Sequence, residues 1–184
     1  MPASKKATAC TTRSFGQAIT GFEEMSEAVV SFTARVAEKL RNEKLVAQHL
    51  AVFMHTNRFN NDPSYSSQLG FYLPETTADT HVLVRWSVWA AKRIWRDGFR
   101  YAKAGVMTNG LVAEGHAPRS LFSAVNAERS KRLMAAMDEI NARHGRWTLR
   151  PLGSGMKPAW KVKSERRSSA WTTRWEELPV VAAK

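Results

Sequence analysis

Six apolar residues, Phe22, Met25, Val29, Phe32, Val36 and Leu40, recur at steps of three and four. An α-helix turns once in 3.6 residues, so they fall on one stripe of a helix about six turns long. Such a stripe must be buried against another layer. Thr20-Gly21-Phe22-Glu23 ahead of it has capping-box spacing. A second stripe, Leu83, Trp86, Ala90 and Ile94, has Asp79 or Thr80 available as its cap and Gly98 as its stop. Around the two helices the period changes to two. In residues 46–56, Leu50, Val52 and Met54 share one strand face, and His49, Ala51, Phe53 and His55 share the other. Leu69, Phe71 and Leu73 alternate in residues 66–73, residues 101–112 read as a last strand, and residues 11–19 as a weaker first one. A turn-rich loop, Asn57 to Ser64, joins the middle pair. The order β-α-β-β-α-β predicts an α+β fold: a four-stranded antiparallel sheet with two helices on one face.

This pattern is expected to occupy residues 11–113, after a disordered lead at 1–10. Residues 114–125, with Gly115 and Pro118, have the composition of a linker. A third helix is predicted from about Asn126 to His144, with Leu133, Met137, Ile140 and His144 along one side and Gly145 as its stop. It opens a small domain, 126–184, that contains Trp147, Trp160, Trp171 and Trp175. These rings are expected to form a small core with the third helix, because loose Trp invites association.

The 184 residues carry a net charge of +12, enough to attract phosphate backbones whatever the fold. The excess is uneven: residues 115–184 hold 14 basic against 6 acidic side chains. Cys10 is the only cysteine, which excludes an internal disulfide or a cysteine metal cluster and fits the cytoplasm. No apolar run approaches a membrane span. Two-metal phosphoryl transfer needs converging carboxylates. Glu23-Glu24 open a helix, Asp138-Glu139 point to different helix faces, and Glu176-Glu177 lie in the tail. His49 and His55 are about 20 Å apart along a strand, too far to share an ion. The expectation is therefore no catalytic residue, no metal, no cofactor, and a chain that is not itself an enzyme.

Several short motifs occur in a telling order. Thr12-Arg13-Ser14-Phe15-Gly16, then Thr56-Asn57-Arg58-Phe59, then Tyr101-Ala102-Lys103-Ala104-Gly105-Val106 resemble the little-finger domain of Y-family DNA polymerases. Glu128-Arg129-Ser130 with Leu133-Met134, and above all Trp171-Thr172-Thr173-Arg174-Trp175, resemble the small C-terminal domain of the UmuC-type branch. The resemblance covers roughly residues 10–181. It implies a βαββαβ module of translesion DNA repair and the SOS response. Such a module grips the template and primer backbones from the open side of its sheet, without base specificity.

Carried over residue by residue, the resemblance implies DNA contacts at Arg13, Ser14, Arg58, Arg100, Tyr101 and Lys103. Arg58 has an alternative partner in Asp62, four residues on. Tyr101, Lys103 and Gly105 share a face by alternation, but the sequence leaves open which. The alternative for the open face is a cover formed by the C-terminal region. Ser120-Leu121-Phe122 stands where family members often carry a sliding-clamp peptide, although Pro118 and Arg119 depart from the usual pattern. The resemblance implies, as partners, DNA, a palm-bearing polymerase chain, a UmuD-like protein, RecA or the clamp, and no membrane. Completion of a polymerase in trans, or a non-catalytic competitor for DNA, are the alternatives. The same element order also builds an RNA-recognition module, but residues 66–73 lack its basic start and its ring spacing.

Overall fold

The computed structural model describes residues 8–116, 127–156, 158–162, 168–170 and 172–178. The elements run β1 (Thr8–Ile19), α1 (Phe22–Asn42), β2 (Leu45–Thr56), β3 (Ser66–Thr77), α2 (Thr80–Ile94), β4 (Tyr101–Ala113) and α3 (Ala127–His144). The four strands form one antiparallel sheet in the order β1-β4-β2-β3, so β1 and β3 are its edges. The predicted α+β architecture is present, with α1 and α2 packed together against one face of the sheet.

The core lies between those layers. Met25, Val29, Phe32, Val36 and Leu40 of α1 are buried, and so are Leu83, Ala90 and Ile94 of α2. They meet Leu50, Val52 and Met54 of β2 and Ala104 and Val106 of β4. Asp79 caps α2, accepting from the backbone N–H of His81 and Val82, an arrangement worth about 1 kcal/mol. The cap of α1 differs from the sequence reading. Gly21 holds the position with no side-chain bond, because β1 continues to Ile19 and Thr20 falls in the connection.

The C-terminal part departs further. On α3 the buried residue is Met134, not Leu133, which is 52% exposed; Ile140 is exposed as well. The helix is turned by polar anchors that hydrophobic periodicity does not reveal. Arg41 of α1 forks onto Asp138 at 2.6 and 2.7 Å and reaches the Ala78 carbonyl and the Thr80 hydroxyl. The Ser130 hydroxyl donates to Asp79, and the Thr80 N–H points at Met134 Sδ. The expected separate Trp core is not found among the described residues. Trp160 instead inserts into the main core, edge-on to Phe15 and Phe32 with centroids 6.0 and 5.4 Å away. Its carbonyl accepts from Gly16 N–H at 3.0 Å, on a stretch of edge strand β1 that has no ladder partner. Trp175 is 86% exposed.

Candidate nucleic-acid interface

Residues directly opposite in an antiparallel ladder project to the same side. The register therefore places four rows on the side away from the helices: Ser14–Lys103–His55–Ser66, Thr12–Gly105–Phe53–Gln68, Cys10–Met107–Ala51–Gly70 and Thr8–Asn109–His49–Tyr72. Ser14, Lys103, Ser66, Gln68 and Tyr72 are exposed. Among the described C-terminal residues, α3 and Ser154 contact α1, and Trp160 contacts the β1 edge at Gly16.

The basic end of the face is the row that begins at Ser14. His55 Nδ1 lies 2.7 Å from the Ser66 hydroxyl. Partial burial, then the charges of Lys103 and Arg58, push the His55 imidazole below its ordinary value. Lys103 opposes His55 in the ladder, and Arg58 lies three residues beyond it. The 57–65 loop beside it is braced at both ends. Thr56 N–H donates to the Tyr65 carbonyl, and the Tyr65 hydroxyl donates to the Ile94 carbonyl. Asn57 accepts from Phe59 N–H and donates to Asn60, a turn that presents Arg58 and Phe59 to solvent. Asp62 faces Arg100 at 3.5 Å rather than Arg58. A groove of about 530 Å³ separates this loop from residues 15–18 of β1, with Arg100 and Asp62 on its wall.

The six residues proposed from the sequence are thus divided. Ser14 and Lys103 are neighbours on the open face, Arg58 stands over its end, and Arg100 lines the adjoining groove. Arg13 is exposed at the sheet edge, but it pairs with Ala104 and belongs to the helix-side rows. Tyr101 is a correction. It is fully buried, and its hydroxyl accepts from Arg96 N–H and donates to the Arg96 carbonyl. The reason is a β-bulge: Lys103 opposes His55 while Tyr101 opposes Thr56, two steps on β4 against one on β2. The extra residue reverses the alternation, so Tyr101 and Lys103 point to opposite sides. Burial raises the Tyr101 phenol above its ordinary value. The clamp-peptide residues Ser120, Leu121 and Phe122, and Trp171, lie outside the described residues. His55, Ser66 and Phe53 were not among the proposed contacts; the one trace they leave in the sequence is strand alternation.

Among the described residues, no group of three or more His, Cys, Asp or Glu could hold a metal ion, and no helix is long and apolar enough to cross a membrane.

Residues 7–121 match the model of the "impB/mucB/samB family C-terminal domain", and residues 131–181 match a domain of unknown function, DUF4113. Protein UmuC of Salmonella typhimurium is 40% identical over 91% of this chain and 40% of its own length. Protein SamB of the same organism is 40% identical over 97% of the chain and 42% of its own length. Protein MucB of Escherichia coli is 35% identical over 94% and 41%. A solved chain from the "Complex of beta-clamp processivity factor and little finger domain of PolIV" aligns with TM-score 0.45 and 13% identity, over 65% of this chain and 98% of that one. The chain thus spans about two-fifths of the length of the curated relatives it matches. That finding overturns the expectation of a non-enzyme: the lack of a converging acid pair in two-fifths of such a protein does not exclude catalysis by the whole. From family match and shared identity together, the chain belongs to the impB/mucB/samB family and carries its C-terminal domain.

Proposed function

We propose that this chain is the DNA-gripping part of a lesion-tolerant Y-family polymerase, acting in the cytoplasm on a primer–template without regard to base sequence. The observation that carries the reading is the basic row Ser14–Lys103–His55–Ser66, with Arg58 above it, on an uncovered sheet face. Hydroxyl and basic side chains are the usual contacts to phosphate oxygens. Family membership and the charge of +12 support the same partner. Residues 8–113 form the gripping module, and the C-terminal region braces it. The same reading counts a palm-bearing chain, a UmuD-like protein, RecA and the sliding clamp among the partners, the last through Leu121-Phe122.

Binding titrations on primer–template at several salt concentrations test the reading. Each neutralised phosphate contributes about −0.9 to the slope of log K against log salt on duplex DNA. Lys103→Ala and Arg58→Ala should each reduce the slope magnitude by about one and weaken all sequences alike. Salt-independent binding, or wild-type affinity in the double variant, rejects the open face as the DNA site.

A further inference from the structure

We propose that the open face also stacks unpaired bases, so that a single-stranded segment of DNA is one of its occupants, with Phe53 and His49 as the stacking rings. This rests on the DNA reading above and goes beyond it, because a grip on phosphates needs no ring.

Two glycines on neighbouring strands carry the inference. A Cβ added at Gly105 would lie 2.4 Å from Phe53 Cζ and 2.8 Å from Thr12 Cβ. A Cβ added at Gly70 would lie 3.0 Å from His49 Cε1 and 3.2 Å from His49 Nε2. Both rings therefore lie across the adjacent strand instead of standing up from the sheet. Each turns one side to the glycine of the adjacent strand, and both residues remain partly exposed. Neither ring is needed inside: Phe53, His49 and Tyr72 all lie outside the hydrophobic core. The surface extends on both sides. His55 lies 5.2 Å from Phe53 at an interplanar angle of 34°, and Tyr72, 79% exposed, stands edge-on to His49 at 5.4 Å.

Every base has a π-face, so a ring platform beside basic side chains accepts a single strand without reading its sequence. Phe53 and His49 are four residues apart on β2, about 13 Å along the strand, so they serve two bases and not one. Lys103 and Arg58 adjoin the Phe53 end and supply charge for the phosphates.

Fluorescence anisotropy of the full chain with three labelled DNAs tests this: oligo(dT), an abasic strand of equal length, and a blunt duplex. Stacking is worth about 1–3 kcal/mol per base. Wild-type protein should therefore prefer oligo(dT) to the abasic strand by at least about fivefold. Phe53→Leu should lose most of that preference, read as the ratio of the oligo(dT) and abasic affinities. Gly105→Ala keeps Phe53 but lifts its ring, and should act in the same direction. Circular dichroism melts confirm that each variant is folded. If Gly105→Ala melts early, Phe53→Leu decides alone. Equal affinity for the abasic strand and oligo(dT), or an unchanged preference in folded Phe53→Leu, overturns the proposal. Salt-steep duplex binding in that outcome leaves the DNA reading standing; no binding to any of the three ends both.

Discussion

Tyr101 and His55 show how one residue's surroundings decide its role. The Tyr101 hydroxyl satisfies both backbone groups of Arg96. Removing it leaves two polar groups without their partner, which costs about 1–3 kcal/mol. Tyr101→Phe should therefore lower the urea midpoint and leave DNA affinity unchanged; a variant of normal stability and weak binding would return Tyr101 to the interface. His55 gives a pH dependence of definite sign. Its folded-state value is depressed below the ordinary 6.5 by burial, Lys103 and Arg58. The unfolded chain then binds the proton at higher pH than the folded one. Its contribution to stability is complete above about 6.5 and declines as pH falls below that, until the folded-state value is passed. A bound phosphate opposes the two cations, so DNA binding should strengthen over the same falling-pH range. His55→Gln should remove both slopes, as followed by denaturation and titration between neutral and mildly acidic pH.

At the scale of elements, periodicity alone recovers the strand and helix order, the core faces of β2, α1 and α2, and the Asp79 cap. Those features follow from local apolar spacing, which tertiary packing here only confirms. What periodicity misses is set by contacts distant in sequence. The bulge opposite His55 and Thr56 reverses Tyr101, and no residue of the Tyr101-Ala102-Lys103 run announces it. Ser14 and Lys103 are named from the family resemblance, because alternation alone leaves their face open, and their junction with His55 and Ser66 depends on strand order. On α3, the Arg41–Asp138 fork outweighs the Leu133/Ile140 stripe in setting which side faces inward. Leu133→Ser should therefore change stability by less than about 0.5 kcal/mol. Met134→Ala should cost about 2 kcal/mol or more. Chemical denaturation of the two variants checks the rotation; the reverse order would restore the stripe as the buried side.

For the whole molecule, α3, Ser154 and Trp160 fasten the C-terminal part to α1 and to the main core. Trp160 packs edge-on against the stacked pair Phe15 and Phe32, and its carbonyl ties down the unladdered end of β1. Trp160→Ala should cost about 3–5 kcal/mol, read as a lowered Tm for the whole chain in a single transition. Two separate transitions would mean that the regions do not brace one another. The arrangement puts α1 and α2 behind the sheet and the Ser14–Lys103–His55–Ser66 row in front. Photo-crosslinking to a primer–template from a single introduced cysteine, in a Cys10→Ser background, tests that assignment most directly. A probe at Gln68, on the open face, should cross-link efficiently, and one at Lys92, on the exposed side of α2, should not. Equal labelling from both positions, or labelling from Lys92 alone, would contradict the account.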